Sequence, residues 1–398
     1  MTLPLHIAIV GAGPVGLAAA CALASSLPKA QLHLFDAQPI DGQGRLDART
    51  LALSLGSIQW LRRLGQWPAA LAEPMTEVSV SQVAPGRADV RLRAQELGVE
   101  LLGAVLSYGD LVQAQQQAWL QQAEREPQRL YTRGSTKVLG LKPLADGAVE
   151  LDTGVAERFD LVLQAEGGVF SEQSSKPWHR DYAQSAWVGT VQLQADWPRG
   201  LAVERFTRDG PLAVLPLPDR EGVRRAAIVW CLPPDDEPGD AALARMRALL
   251  PREAAGIAAL EAPLRAFTLG LNAEPQPLSG RVLRIGNAAQ TLHPVAGQGL
   301  NLGLRDAHEL VTQLRDVDDR NGDLSADLRA DLDAALRRCV RRRAPDRFTL
   351  LATTDTLARL FAVDAAPVTL AREAGLRLLQ VLPPLRHALA RQLMFGWR

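Results

Sequence analysis

Cysteine is scarce, and its placement excludes a disulfide-stapled or metal-bound scaffold. Cys21, Cys231 and Cys339 are odd in number, far apart and in no metal-ligand spacing. They read as buried, reduced thiols of a cytoplasmic protein. Net charge is missing too. The 44 Lys and Arg residues balance 44 Asp and Glu, which argues against nucleic acid as a partner, because phosphate recognition asks for a basic face. No run reaches the roughly 18–20 apolar residues of a membrane-crossing helix. Residues 5–20 are apolar, but they lack a basic leader and are broken by Gly11, Gly13 and Pro14. They read as a strand and a turn, not a secretory signal. His6, His33, His179, His308 and His387 show no ligand spacing, so no metal is expected. No Ser-His-Asp or Cys-His constellation stands out.

What is present is apolar and periodic. At 398 residues and 47% hydrophobic content, the chain exceeds the roughly 250–300 residues at which one core stops growing, so two packed regions are expected. Residues 5–10 form a buried-strand run. A glycine turn, an Ala- and Leu-rich helix over 17–27 and a strand over 31–35 complete a βαβ unit. Residues 60–71 and 111–123 read as helical, and 74–93 alternate in strand fashion. Short runs at 149–151, 161–163, 188–193, 202–206, 212–217 and 226–232 are bounded by turn residues and read as strands. Helices are expected at 241–250 and 253–260, a buried strand at 282–285 and a helix at 300–314. The chain beyond about residue 324 reads as helical, with interruptions near Pro345, Pro367 and Pro383-Pro384.

Gly11-Ala-Gly13-Pro-Val-Gly16 lies between the first strand and the first helix. The first glycine permits the tight turn, the second lets backbone approach a pyrophosphate, and the third lets helix and strand pack closely. The helix N-terminus adds free N–H groups and a positive dipole end. Asp36 follows Gly16 by 20 residues, the spacing of the acid that accepts a ribose hydroxyl. The motif predicts a dinucleotide, disfavours a 2′-phosphate, and leaves FAD and NAD open.

A second glycine-rich segment lies nearly three hundred residues later. Gly286-Asn287 ends a strand, and Pro294-Val-Ala-Gly297-Gln-Gly299-Leu300-Asn301 opens a helix. This pattern resembles the second FAD fingerprint of the class A flavoprotein aromatic hydroxylases. Two further stretches agree: Asp160-Leu-Val-Leu-Gln-Ala-Glu-Gly after a strand, and Asp47-Ala-Arg49-Thr-Leu-Ala-Leu-Ser. The resemblance covers essentially the whole chain and narrows to the ubiquinone-biosynthesis hydroxylases, on Gly286-Asn-Ala-Ala-Gln-Thr-Leu-His-Pro, the 204–217 stretch and Ile228-Val-Trp-Cys. It implies an α/β fold of the para-hydroxybenzoate hydroxylase type: a Rossmann-type FAD-binding domain (1–73, 96–180 and 275–325), an antiparallel-sheet substrate domain (74–95 and 181–274) and a helical C-terminal region (326–398). It also implies that Arg49, Gln113, Asn287, Gly297, Gly299, Leu300 and Asn301 join Gly11, Gly13, Gly16 and Asp36 in holding FAD. Pro294 is then expected beside the reactive flavin face, and His293 as a hydrogen-bond donor or proton-relay member near the substrate. Asn287 and Glu166 stand where the family pattern has Asp. The first keeps a hydrogen-bonding amide without the charge, and the second is one methylene longer.

The reaction implied is hydroxylation of 2-polyprenyl-6-methoxyphenol. NADH or NADPH reduces FAD, and O2 then forms a C4a-hydroperoxyflavin that carries the hard chemistry. A soluble aromatic substrate, or a non-catalytic subunit of a ubiquinone-biosynthesis assembly, are the competing readings. Two basic concentrations bear on partners. Arg337, Arg338, Arg341, Arg342, Arg343 and Arg347 form one. Arg372, Arg377, Arg386, Arg391 and Arg398, interleaved with Leu, Met394, Phe395 and Trp397, form the other. Such tails suit either a solvated helix face or a membrane surface, so peripheral association with the inner membrane and contact with other ubiquinone-biosynthesis proteins are expected alongside a cytoplasmic location.

Overall fold

The computed structural model describes residues 4–43, 47, 49–83, 89–167, 176–251, 256–293, 297–319, 326–362 and 366–396. The first strand, His6–Val10, is buried along nearly its whole length because parallel neighbours flank it on both sides. The sheet around it has six strands, in the order Leu278–Ser279, Val282–Arg284, Leu161–Gln164, His6–Val10, Gln31–Phe35, Leu130–Arg133. All pairs are parallel except the short Leu278–Ser279 edge. Val10 pairs with both Phe35 and Gln164, and Gln164 pairs with Arg284. The carboxyl ends of these strands are therefore level, and the turns that follow them share one edge of the sheet.

Helix Pro14–Ser26 is buried on almost every side, which its alanines permit. It shares one large core with helices Tyr108–Arg125 and Gln298–Asp319 on one face of the sheet. A small antiparallel sheet of Gly140–Pro143, Val149–Asp152 and Ala156–Phe159 covers the other face through Val149, Leu151 and Phe159.

The second large sheet has nine strands. Its central strand, Trp178–Leu193, pairs antiparallel with Arg265–Ala273 on one side and Val223–Leu232 on the other. Pro211–Arg220, Leu201–Phe206, Glu77–Gln82 and Asp89–Arg93 continue the sheet outward. The central strand begins ten residues before the expected start at 188, and carries a register shift between Asp181 and Gln184 with Ala183 at φ 49°.

Two expectations fail. Ile257–Leu260 is a strand paired with Val191–Leu193, not part of a helix, because an available sheet edge outweighs the weak preference of an Ala-rich run; residues 252–255 lie outside the described set. Helix Ala326–Ala362 runs through Pro345 without interruption. Pro345 and Arg341 are exposed, so the turn that lacks a backbone hydrogen bond lies on the solvent side of the helix. Helices Ala366–Val381 and Pro383–Phe395 close the chain.

Candidate active site

At the level edge of the parallel sheet, three chain segments meet on glycine. Gly11 has φ +105°, and a Cβ there would lie 2.7 Å from the Glu166 nitrogen. A Cβ on Gly16 would lie 1.8 Å from the Gly11 carbonyl oxygen. Both positions are closed to any side chain by the protein itself. Gly13 differs. Its backbone is extended (φ −82°, ψ 179°), and the nearest atom to a Cβ would be the Tyr108 hydroxyl at 3.4 Å. Nothing in the fold requires glycine there, so its smallness leaves space over the N-terminus of Pro14–Ser26, which has no side-chain cap. Asp36 faces the same turn, with Oδ2 accepting from the Ala12 nitrogen at 2.7 Å and Oδ1 from the Gln38 nitrogen at 2.8 Å. An open cradle above uncapped helix amides, with a carboxylate beside it, fits the pyrophosphate and ribose of FAD.

The second motif is pressed against the first. Gly286 has φ +59°, and a Cβ on Gly303 would lie 2.8 Å from both the Gly286 Cα and Val15 Cγ2. A Cβ on Gly167 would lie 2.6 Å from Asn287 Cβ. Lys176 Nζ donates to the Asn287 carbonyl at 2.7 Å, and burial draws its pKa down to about 8. Burial, then Asp36, raises the pKa of Glu166.

Gly297 has φ +58°, and Asn301, buried, ties its segment down. The Asn301 Oδ1 accepts from the Ser54 nitrogen and the Ser57 hydroxyl, both at 2.8 Å, while Nδ2 donates to the Ala52 and Gly297 carbonyls at 3.0 Å. Its amide is thus committed to the protein, tying the start of helix Gln298–Asp319 to the 52–57 segment. A Cβ on Gly299 would meet nothing within 4 Å, a second glycine that the fold itself does not require. Leu300 beside it is half-buried against the main core.

Arg49 sits between its neighbours. Its guanidinium pairs with Asp47 at 2.6 Å and lies 4.7 Å over the Tyr108 ring, whose hydroxyl points toward Gly13. Gln113 is half-buried on helix Tyr108–Arg125. The glutamines of that helix that reach the turns are Gln115, donating to the Pro14 carbonyl at 3.0 Å, and Gln116 and Gln117, which accept from the Gly42 nitrogen and donate to the Gly42 carbonyl, both at 3.2 Å. His293 is 1% exposed. Its Nε2 donates to Gln184 Oε1 at 3.3 Å, its ring stands edge-on to Tyr182, and burial lowers its pKa to about 4. The ring is therefore neutral near pH 7. Pro294 lies outside the described residues. Tyr108, Ser57, Lys176 and Gly303 were not singled out by sequence reasoning, whereas Gly167 closes the Asp160–Gly167 stretch. Gly303 carried a readable signal, a glycine just over one turn into a helix.

The large sheet offers this edge an apolar face. Its alternate residues divide cleanly. Val191, Val214, Ile228 and Trp230 pack away under helix Ala242–Leu249, with Arg245 over the Trp230 ring. Ala186, Val188, Val229, Cys231 and Leu269 line the opposite side, and Leu215 and Leu217 pack, with Ala52, against the cluster of Met75, Val105 and Ala202. A Cβ built on Gly297 would lie 3.3 Å from the Cβ of the same Ala52. All three cysteines are free and buried, and burial raises each thiol pKa, that of Cys21 to about 12.

The basic residues of 337–347 do not form one surface. Arg343 and Arg347 are inside: Arg343 pairs with Asp306 at 2.8 Å and with Asp346 at 2.7 Å, and Arg347 donates to the Gln290 side chain and the Glu274 carbonyl. Buried guanidinium groups require such partners, so these two arginines hold helix Ala326–Ala362 to the second glycine segment.

Comparison with known proteins agrees with this geometry. A family model described as an FAD binding domain matches residues 166–326. The p-nitrophenol 4-monooxygenase PnpA of Pseudomonas putida superposes over 100% of both chains with a TM-score of 0.74 at 16% identity. The HpxO enzyme of Klebsiella pneumoniae, solved with FAD and uric acid, covers 98% of this chain and 97% of its own with a TM-score of 0.68 at 18% identity. The fold is that of the FAD-dependent aromatic monooxygenases. Ubiquinone hydroxylase UbiL of Rhodospirillum rubrum is 31% identical over 97% of this chain and 88% of its own length. The 3-demethoxyubiquinol 3-hydroxylase of Escherichia coli is 30% identical over 94% of each. The chain belongs to the FAD-dependent hydroxylases of ubiquinone biosynthesis, and its cofactor is FAD.

Proposed function

We propose that this enzyme hydroxylates the ring of a polyprenylated phenol, 2-polyprenyl-6-methoxyphenol, using NADH or NADPH and O2. The observation that supports this most is the apolar sheet face of Leu215, Leu217 and their neighbours, packed in one cluster with Ala52, whose carbonyl shares the Asn301 amide with that of Gly297. A ring held there lies between that face and the loop that cradles the cofactor, and the lining favours a phenol with an apolar tail over a charged aromatic. Bound FAD supplies the electron transfer and the activated oxygen. The residues of this chain supply placement. Gly11, Gly13, Gly16 and Asp36 take the pyrophosphate and ribose. Arg49, Gln113, Asn287, Gly297, Gly299 and Leu300 line the rest of the cofactor, and Asn301 holds its loop. His293, neutral and hydrogen-bonded to Gln184, is suited to orient a phenol hydroxyl or pass its proton, with Pro294 next to it. The tail's binding energy positions the ring. In this reading residues 1–73, 96–180 and 275–325 form the FAD-binding domain, 74–95 and 181–274 the substrate domain, and 326–398 the helical region. Peripheral membrane association and contact with other ubiquinone-biosynthesis proteins belong to the same reading.

Lipid profiling by mass spectrometry of cells lacking the gene, with and without a plasmid copy, tests the substrate. Accumulation of 2-polyprenyl-6-methoxyphenol with loss of ubiquinone, both reversed by the plasmid, is the expected outcome. Accumulation of a different prenylated intermediate would overturn the ring position. Unchanged ubiquinone with no prenylated phenol would overturn the substrate class.

A further inference from the structure

Helix Ala366–Val381 is apolar on two sides. The inner side packs Leu376 against Val90, with Val80 and Leu379 beside them. Glu373, 5% exposed, sits on that side too, bonded to Gln82 and Arg377. The outer side meets water. Leu370, Leu378 and Val381 are 62%, 51% and 72% exposed, and Leu382 and Leu385, at the turn into Pro383–Phe395, are 43% and 44% exposed. At helical spacing Leu370, Ala374, Leu378, Val381 and Leu382 fall on one arc, with Ala371 and Gly375 beside them. A surface helix ordinarily puts polar residues there, and a helix apolar on both sides is one whose second face is covered by something.

Charge indicates the cover. Residues 366–396 carry Arg372, Arg377, Arg386 and Arg391 against a single acid, the buried Glu373. Arg377 and Arg391 are exposed at the flanks of the arc. The exposed apolar residues are aliphatic, whereas the centres of protein interfaces favour aromatic anchors. Among the described residues no helix is long and apolar enough to cross a membrane, so a bilayer would be met from the side.

We propose that the turn between helices Ala366–Val381 and Pro383–Phe395 docks on a bilayer containing anionic lipid. The aliphatic arc enters the acyl boundary, and the flanking arginines meet headgroup phosphates. The far end of the second helix is fastened near the cofactor loop, since Arg305 donates to the Leu393 carbonyl at 2.9 Å and to Gln298 Oε1 at 3.1 Å. Docking therefore also orients the active site relative to the lipid surface. This inference rests on the peripheral association included in the proposed function and names the surface that makes it.

Vesicle flotation of the FAD-loaded full chain tests it, with phosphatidylcholine alone and mixed with phosphatidylglycerol. The protein is expected to float with the mixed vesicles, less so at high salt. Leu378→Gln/Val381→Gln should weaken partitioning roughly tenfold or more, the effect of no longer burying two large aliphatic side chains. Its flavin absorbance and melting temperature should stay unchanged, because both side chains are exposed. Arg377→Gln/Arg391→Gln should lose the preference for phosphatidylglycerol. The proposal is overturned if the wild type does not float or if the apolar variant floats equally well. It is also overturned if light scattering shows a wild-type dimer that the apolar variant turns into a monomer, because a second copy of the chain would then be the cover.

Discussion

At Gly13 the backbone is extended and the protein leaves the Cβ position open. Gly13→Val should therefore fold and purify colourless, its branched side chain filling the space over the helix amides; a fully yellow protein would refute the placement. Gly16→Ala should instead fail to accumulate in soluble form, because its methyl would overlap the Gly11 carbonyl. The two substitutions separate a glycine kept for a ligand from one kept for the fold. Asn301 makes a different point. Asn301→Ala leaves the buried Ser54 amide and Ser57 hydroxyl without their acceptor, a loss of about 1–3 kcal/mol. Thermal melting should show that loss, and titration of apo-protein should show weaker FAD binding, since the Gly297 loop loses its tether to Ala52.

Elements meet here through glycine and through buried charge. Helix Gln298–Asp319 approaches the first glycine turn only because Gly303 lies against Gly286 and Val15. The same helix is bound to Ala326–Ala362 by Arg343, whose side chain is 11% exposed, with Asp306 and Asp346 at 9% and 3%. Removing one member of a buried pair strands the other. Arg343→Met should lower unfolding free energy in urea by about 3–5 kcal/mol, whereas Arg342→Met, exposed and 3.8 Å from Glu309, should change it by less than about 1 kcal/mol. In sequence these two neighbouring arginines are indistinguishable, because burial depends on which helix lies opposite.

For the whole molecule the buried histidines set a pH limit. Burial lowers the pKa of His33 and His293 from an ordinary 6.5 to about 4. Between those values the unfolded chain binds protons that the folded chain does not, so stability is full above about pH 6.5 and falls as pH drops toward 4. The melting temperature should decline over that window. His33→Phe, at a position stacked among Tyr131, Phe35 and Phe159, should flatten part of the slope.

The βαβ unit, its glycine turn and Asp36 were legible in the sequence because their constraints are local. Strand, turn and helix follow within a few tens of residues, and φ requirements attach to single positions. The second cofactor segment was legible by resemblance, since its glycines stand in an ordered pattern at a helix start. The assignment of 257–260 to a strand, the continuity of the helix through Pro345, and the burial of Arg343 and Arg347 were decided only by tertiary structure. Each depends on surroundings that neighbouring residues do not announce: a free sheet edge, solvent along one side of a helix, the Asp306 carboxylate of another helix for Arg343, and the Gln290 side chain with the Glu274 carbonyl for Arg347. The cradle itself belongs to this second kind, because Gly11, Gly167, Gly286 and Gly303 become neighbours only when parallel strands end at one level.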